Sequence, residues 1–379
     1  MSDTVSAQTL RLIGYFPASA IHAQNYQVAD IPAGLLSHVI YAFANVTAAG
    51  DCVSVNAKDD AVNFPQLLNL KANNPQLLAL ISVGGSSHST NFSAVSAATA
   101  TRAHFAQSCV QFMTQNGFDG IDIDWEFPGP TDSDNFTALL QELRNQLDAQ
   151  GAADGRTYLL TIAAPAGPSN IANLQLALIY PLLDWINLMT YDFSVASSHK
   201  TNFVAPLFTK MGVLNVGAAV NSYLGAGVPS DKIVMGVRFV GTGWQGVGPT
   251  NNGLDQPNSG PAPGTWDLPG AAPSGSFGYQ DIENNYLPSY TRSWDNEAQV
   301  PWLYNADTGI MISYEDPESL NAKAHYVLSK QLGGIMIWEL AADDDRDTLV
   351  NTIAAVLERY PIRLYRIHRP QNSLCIRRV

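Results

Sequence analysis

The sequence predicts an α/β fold in which eight parallel strands and their helices close into a (β/α)8 barrel of the TIM type. Short, near-continuous apolar segments recur along the chain, as in parallel strands covered on both faces, and amphipathic helical patterns separate them. The predicted strands are Leu10–Phe16, His38–Asn45, Leu77–Gly84, Gly120–Glu126, Tyr158–Ala164, Trp185–Tyr191, Ile233–Val240 and Gly334–Leu340. Because strand and helix alternate throughout, a closed barrel is favoured over an open doubly wound sheet.

The helices have the expected stripes and start signals. Asp316-Pro317-Glu318 provides an N-cap, a proline at the first helical position and an acid in the first turn. One helix carries apolar residues at the i, i+3, i+4, i+7 and i+11 positions, namely Phe136, Leu139, Leu140, Leu143 and Leu147.

One connection is too long for a plain loop. It follows the seventh strand and is rich in glycine, proline and aromatic residues. We therefore expect residues 1–240 and 316–360 to form the barrel, and residues 241–315 to form an inserted α+β subdomain between strand 7 and helix 7. A subdomain inserted where a strand ends would form a wall beside the mouth of the barrel.

The composition narrows the range of partners. A formal net charge of −13 argues against nucleic acid, and no segment reaches the ~18 apolar residues of a membrane span. Three cysteines, Cys52, Cys109 and Cys375, cannot form a disulfide framework. We also expect a monomer. Residues 1–9 lack the pattern of a signal peptide. Residues 361–379 hold five arginines and no acid, and we expect a disordered or non-native tail.

The most informative segment is Phe118–Gly129, with the sequence FDGIDIDWEFPG. Side chains alternate along a strand, so Asp122, Asp124 and Glu126 share one face, with two isoleucines and a tryptophan on the other. At ~3.3 Å per residue the carboxyl groups are spaced by ~6.6 Å and rise toward the C-terminal mouth, where barrel active sites lie. Burial and mutual repulsion predict that at least one acid holds a proton at neutral pH.

Three interpretations of these acids differ in chemistry. A solvated acidic strand fits badly, because the intervening residues are large and apolar. A Mg²⁺ or Ca²⁺ site would need ligands that converge from other elements, so we expect neither a metal nor a cofactor. A sugar hydrolase fits best, with Glu126 as the general acid that protonates a glycosidic oxygen.

The position of Asp124 indicates how such a reaction would proceed. It lies on the same strand as Glu126 and cannot attack the sugar from the opposite face. A 2-acetamido group of the substrate could attack C1 instead, while Asp124 accepts the acetamido N–H and stabilises the oxazolinium ion. Asp122 would hold the proton that lets Asp124 change its charge during turnover.

These residues resemble the Asp-x-x-Asp-x-Asp-x-Glu signature of family 18 glycoside hydrolases, the chitinases, with Asp119 as the first acid. The resemblance covers nearly all of residues 10–360. Further motifs similar to those of the family are Ser82–Gly85, Met189–Asp192, Trp294–Pro301 and Trp338. The resemblance to this family implies a secreted, endo-acting, retaining enzyme that cleaves β-1,4 links in chitin or N-acetylglucosamine oligomers.

The resemblance also implies roles for individual residues. Tyr191 would join the catalytic set of Glu126, Asp124 and Asp122 by donating its hydroxyl group to the acetamido oxygen. The substrate-binding residues implied are Tyr15, Phe43, Gly85, Met189, Asp192 and Trp338. Arg238 is added to this set on other grounds, because positions 238, 240 and 242 would share one face of a continuing strand.

The sequence departs from the family beside this centre. Val240 and Thr242 replace a substrate-binding tyrosine and arginine, and Ser86 and His88 stand where tryptophans are common. We therefore expect a weak grip on polymer, with Arg238 substituting for the missing arginine from the same strand face. An endo-β-N-acetylglucosaminidase acting on glycoproteins stays an alternative. A non-catalytic lectin is a weaker one, since such lectins typically lack the acid.

Overall fold

The structure is a computed structural model and describes residues 10–209 and 212–358. Its centre is a closed barrel of eight parallel strands, in which β8 pairs with β1, as the sequence predicts. The strands are β1 (Arg11–Pro17), β2 (His38–Val46), β3 (Leu78–Gly84), β4 (Gly120–Asp124), β5 (Leu159–Ala164), β6 (Trp185–Leu188), β7 (Ile233–Arg238) and β8 (Gly334–Trp338). A short antiparallel strand, Cys52–Ser54, lies against the end of β2.

Several strands end earlier than the sequence pattern predicts. The ladder of β4 stops at Asp124 instead of Glu126, and that of β6 stops at Leu188 instead of Tyr191. Strands β7 and β8 are each two residues shorter than predicted at this end. The inward-facing pattern continues past the last paired residue, because the chain still lines the barrel mouth after its hydrogen-bonded ladder has ended.

Helices surround the barrel. The helix Ser133–Asp154 buries the predicted stripe against the strands, and Asp316 caps the helix Pro317–Lys330 by accepting from the backbone of Glu318 and Ser319. The helix Thr348–Leu357 closes the described chain. The other α-helices described outside the insertion are Ala20–Ala23, Ala57–Asn73, Phe92–Ser96, Thr99–Gln115, Pro168–Ile171, Leu176–Ile179 and Val216–Gly225.

A second sheet of six strands lies between β7 and the helix Pro317–Lys330. It has its own apolar core around Trp244, Trp302 and Met311. A buried ion pair between Lys323 and Glu315 joins the end of this insertion to the following helix. Its strands are Gly241–Gln245, Gly260–Pro261, Ser276–Phe277, Thr291–Asp295, Val300–Asn305 and Ile310–Ser313, with helical turns at Tyr279–Asp281 and Ile282–Tyr286.

Two features of the sequence lie outside the described residues, namely the N-terminal residues 1–9 and the arginine-rich segment 361–379. Within the described ranges, no helix combines the length and the apolar character needed to cross a bilayer.

Candidate active site

Strand β4 carries the acids toward the mouth of the barrel. Asp122 and Asp124 lie on the strand and are buried, whereas Glu126 follows its end and is half-buried. The backbone N–H of Glu126 donates to Ser89 Oγ at 2.9 Å, and Ser89 Oγ lies 2.9 Å from the carbonyl oxygen of Gly85. The loop after β3 therefore fixes the backbone of the uppermost acid.

Asp122 is surrounded by hydrogen-bond donors. Its carboxylate accepts from Thr161 Oγ1 at 2.6 Å, Ser82 Oγ at 2.8 Å, the Tyr15 hydroxyl at 2.9 Å and Asn187 Nδ2 at 3.3 Å. Burial raises the pKa of Asp122, and these donors act in the opposite direction because they favour the charged form.

Asp124 has the contrasting environment. It is buried, and its Oδ1 atom has no hydrogen-bond partner among the described residues. Burial raises its pKa well above the usual range, and the charges of Glu126 and Asp122 raise it further. Of the two acids on the strand, Asp124 is therefore the better place for a proton in the free protein.

Glu126 also has a raised pKa, mainly because of burial and secondly because of the Asp192 charge. A raised pKa keeps more of the carboxyl group protonated near neutral pH, as a general acid requires. The Tyr191 hydroxyl has a raised pKa as well, caused first by burial and then by Asp124, so it remains a donor. This hydroxyl group lies 3.8 Å from Met336 Sδ.

These groups meet in a cavity of about 160 Å³, called here the catalytic cavity. Trp338 forms its aromatic floor, stacked on Phe43 at a centroid distance of 5.9 Å and 25° between planes. The predicted site residues that line it are Tyr15, Phe43, Asp124, Glu126, Met189, Tyr191, Asp192 and Trp338.

Asp122 lies below this cavity, and two of the predicted substrate-binding residues, Gly85 and Arg238, also do not line it. Gly85 has a φ of +85°, and a Cβ there would lie 2.8 Å from the Phe43 ring, so its place is a packing position. Arg238 Nη1 donates to Val240 O at 2.9 Å and to Thr242 Oγ1 at 2.8 Å. Its Nε lies 3.2 Å from Asp192 Oδ1, so the guanidinium reaches the cavity only through Asp192.

Sequence reasoning missed the polar residues that support the acids. The sequence pattern indicates Ser82 only as part of a motif and gives no role to Thr161, Asn187 or Ser89. Ser82, Thr161 and Asn187 are polar residues within otherwise apolar strands. This feature of the sequence could have indicated that they support the acids.

A second cavity of about 270 Å³ adjoins the first and is called here the leaving-group cavity. The two cavities share Glu126, Met189, Tyr191 and Asp192. Residues that line only the second come from the ends of β4, β5 and β6 and from later loops, including Phe127, Asn170 and Leu214. Glu126 therefore stands at the junction, where it can reach a bond that spans both cavities.

No group of three or more His, Cys, Asp or Glu side chains in residues 10–209 and 212–358 is placed to hold a metal ion. A carboxyl group with a raised pKa, a buried second acid and a tyrosine donor converge on the aromatic-floored catalytic cavity. That chemistry defines a glycoside hydrolase that works by general acid catalysis.

The chain belongs to family 18 of the glycosyl hydrolases, whose family profile matches residues 11–343. It is 38% identical to Chitinase A1 of Niallia circulans over 93% of this chain and 59% of that protein. It is 37% identical to Endochitinase 1 of Metarhizium robertsii, covering 89% and 83% of the two chains. The solved Chitinase ChiA74 from Bacillus thuringiensis superposes with a TM-score of 0.87 at 36% identity, over 94% and 71%. The predicted family is confirmed, and the chain spans 59% of the length of Chitinase A1.

Proposed function

We propose that this protein is an endo-acting chitinase that hydrolyses β-1,4 links between N-acetylglucosamine units with retention at C1. The observation that carries the proposal is the meeting of Glu126, Asp124 and Tyr191 in one cavity over Trp338. By resemblance alone, we also propose that the protein is secreted. The monomeric state expected in the sequence analysis stays a prediction.

In the first step, a sugar lies on Trp338 with its glycosidic oxygen at the junction of the two cavities. Glu126 donates its proton to that oxygen while the leaving group occupies the leaving-group cavity. The Tyr191 hydroxyl donates to the acetamido oxygen and holds it for attack on C1. Asp124 accepts the acetamido N–H and, once ionised, balances the positive charge of the oxazolinium ion.

Asp124 must lose its proton as that positive charge develops. Asp122 lies one inward position below it and is held by four hydrogen-bond donors. We propose that Asp122 takes the proton during turnover, while in the free protein the proton resides on Asp124. In the second step, Glu126 removes a proton from water, which opens the oxazolinium ion from the opposite face and gives retention.

Asp192 also lines the catalytic cavity and could be considered as a direct nucleophile. Its carboxylate, however, forms an ion pair with Arg238 at 3.2 Å and lies close enough to Glu126 to raise the pKa of that acid. A nucleophile has to approach from the face opposite the proton donor. The substrate acetamido group therefore fits the geometry better than Asp192.

The test compares Glu126→Gln with wild type on N-acetylglucosamine hexamer. We expect kcat to fall by at least about 10²–10⁴-fold, since general acid catalysis alone contributes that much. The thermal midpoint should not fall, because glutamine keeps the shape of a side chain whose charged form is disfavoured by burial. Glu358→Gln, at an exposed glutamate, serves as the matched control. Proton NMR of the first products should show retention, and EDTA should leave the rate unchanged.

Near-normal hydrolysis by Glu126→Gln would overturn the proposal. So would efficient cleavage of cellulose or fully deacetylated chitosan, neither of which carries the acetamido group. Release of whole glycans from a glycoprotein, without cleavage of the hexamer, would favour the endo-β-N-acetylglucosaminidase alternative.

A further inference from the structure

Strand β6 places Trp185 and Asn187 inside the barrel. The two residues are two positions apart on the strand, so their side chains share its inward face. Both are buried, and neither lines the catalytic cavity. Trp185 packs in the small apolar cluster that fills the barrel, together with residues such as Ile13 and Leu80.

The amide group of Asn187 has a different partner at each end. Its Oδ1 atom accepts a hydrogen bond from Trp185 Nε1 at 2.8 Å. Its Nδ2 atom donates to Asp122 Oδ1 at 3.3 Å and to the Tyr15 hydroxyl oxygen at 3.5 Å. Asn187 therefore connects the indole of Trp185 with the carboxylate of Asp122, which would take up the proton of Asp124.

Trp185 determines which end of this amide faces Asp122. If the amide turned about its last bond, its Nδ2 donors would face the indole N–H and its Oδ1 acceptor would face the carboxylate. Neither contact would be favourable, because an indole N–H can only donate and a carboxylate can only accept. Asn187 is therefore held as a donor toward Asp122 by the single hydrogen bond from Trp185.

The indole is itself fixed by its neighbours. The Arg11 guanidinium lies over the ring of Trp185, with Cζ 4.8 Å from the ring centroid. The His38 ring packs against the same indole at a centroid distance of 4.7 Å. Burial, and then the Arg11 charge, lower the pKa of His38 to about 3, so this histidine is neutral in mildly acidic and neutral solution. Its charge therefore does not change beside Trp185 in that range.

Asn187 differs from the other three donors to Asp122, which are hydroxyl groups. A hydroxyl group can rotate and accept a hydrogen bond once the carboxyl group is protonated, whereas the Nδ2 group of an asparagine can only donate. The hydroxyl donors are Ser82, Thr161 and Tyr15. Asn187 is therefore the donor that favours the charged form of Asp122 and cannot adapt to the neutral form.

The titratable groups that face Asp122 are Tyr15 from β1 and Asp124 from its own strand. The side chains that contact it from β3, β5 and β6 are neutral. Burial raises the pKa of the Tyr15 hydroxyl well above its usual range, so Tyr15 stays protonated. The protonation of this site is therefore shared between the two acids, which titrate as a pair.

The proposed reaction needs one proton on this pair of acids. With Asp124 protonated and Asp122 charged, Asp122 can take the proton as the oxazolinium ion forms. A second proton on the pair makes Asp122 neutral and unable to take another one. A donor that cannot reverse disfavours this second proton, because it stabilises the charged carboxylate.

We infer that Trp185 is a positioning residue that acts through Asn187, keeping a fixed hydrogen-bond donor on Asp122 and so keeping the pair of acids active in acidic solution. The inference rests on the proposed function and extends it to residues that touch neither the substrate nor Glu126. Without the indole N–H, the amide can turn its oxygen toward Asp122. The pair would then take up its second proton at a higher pH.

The test measures the pH dependence of kcat for N-acetylglucosamine hexamer. Trp185→Phe and Asn187→Ala should each move the acidic limb to higher pH by about one unit, because a hydrogen bond to a charged group is lost. The double variant Trp185→Phe/Asn187→Ala should shift the limb no further than Asn187→Ala, because Trp185 acts through the amide. Additive shifts in the double variant would overturn the inference.

Trp244→Phe is the matched control. Trp244 is also fully buried, and its indole N–H donates to Val195 O at 3.1 Å, but it lies in the separate core of the insertion. This variant loses a ring and an N–H bond in the same way as Trp185→Phe. Its acidic limb should nevertheless coincide with that of wild type.

A further replacement separates the hydrogen bond from the packing of the ring. Replacing Trp185 with 3-benzothienylalanine exchanges the indole N–H for sulfur and nearly keeps the size of the ring. It should shift the acidic limb in the same direction and leave KM unchanged. If both Trp185 replacements have the acidic limb of Trp244→Phe, the inference is overturned while the proposed function stands. If wild type does not cleave the hexamer, the proposed function itself fails.

Discussion

Replacing Arg238 with alanine should lower kcat/KM by roughly tenfold to hundredfold, although Arg238 does not line the catalytic cavity. Arg238 Nη1 donates to Val240 O at 2.9 Å and to Thr242 Oγ1 at 2.8 Å. Hydrogen bonds of charged groups each contribute about 1.5–3 kcal/mol. The ion pair with Asp192 adds only ~0–1 kcal/mol, because the Asp192 side chain is 43% exposed.

Only part of this interaction energy contributes to stabilising the transition state. Without Arg238, Asp192 loses the partner that orients it beside Glu126, and a loss of about 1.4–2.7 kcal/mol corresponds to the stated tenfold to hundredfold range. The unbalanced Asp192 charge should also raise the pKa of Glu126 further. Since Glu126 acts in its protonated form, the alkaline limb of the pH profile should move to higher pH.

The assay is kcat/KM for N-acetylglucosamine hexamer as a function of pH. Arg238→Lys keeps the charge but cannot reproduce the forked contacts, so it should recover the pH profile better than the rate. Lys58→Ala removes an exposed cation from the helix Ala57–Asn73 and serves as the control. A rate and alkaline limb indistinguishable from this control would refute the positioning role.

The same geometry predicts the outcome of restoring the residues common in relatives. Thr242 Oγ1 lies 2.8 Å from Arg238 Nη1, so an arginine at position 242 would compete with Arg238 for one space. Val240→Tyr/Thr242→Arg alone should therefore leave KM no better. The triple variant Val240→Tyr/Thr242→Arg/Arg238→Ala should then have a lower KM than Arg238→Ala alone. Equal KM values for these two variants would contradict the idea that Arg238 takes the place of the missing arginine.

Two further predictions follow from the pKa shifts. Asp192→Asn removes a charge that raises the pKa of Glu126, so the alkaline limb of the kcat/KM profile should move to lower pH. An alkaline limb at the wild-type position would show that the Asp192 charge does not affect the pKa of Glu126. Asp124→Asn should abolish turnover and raise the thermal midpoint at pH 8. Because the pKa of Asp124 is raised in the folded state, the wild-type protein loses stability as the pH rises above ~3.9, the pKa of an aspartate in the unfolded chain. Near pH 3 both states are protonated, so the higher thermal midpoint of Asp124→Asn should disappear.

The barrel could be predicted from the sequence because each strand is a short apolar run that must be covered on both faces. The ends of the strands could not be predicted in this way, as the predicted strand Gly120–Glu126 illustrates. Alternation places Glu126 on the same face as Asp124, and that inward direction is kept near the mouth. The hydrogen-bonded ladder, however, ends at Asp124, because its end depends on the neighbouring strands as well as on its own residues.

The surroundings of Asp122 mark another limit. Ser82 and Thr161 are visible as polar residues within apolar strands, and each lies opposite Asp122 in the sheet register. A register is a property of paired strands, so a single strand does not reveal which acid such residues contact. Arg238 illustrates the same point, since its partner Asp192 comes from the end of a different strand.

The two acids on β4 lie two residues apart on one face, yet their surroundings differ in kind. Asp122 has four hydrogen-bond donors, whereas Asp124 Oδ1 has none among the described residues. A fold selected for stability alone would gain by replacing an unpartnered buried acid, because burying it without a partner costs free energy. The unpartnered carboxyl group does have a role in catalysis. When its proton moves to Asp122, Asp124 becomes negatively charged at the stage at which the oxazolinium ion forms. A sugar-binding lectin would have no need for this asymmetry, so the surroundings of the two acids favour an enzyme.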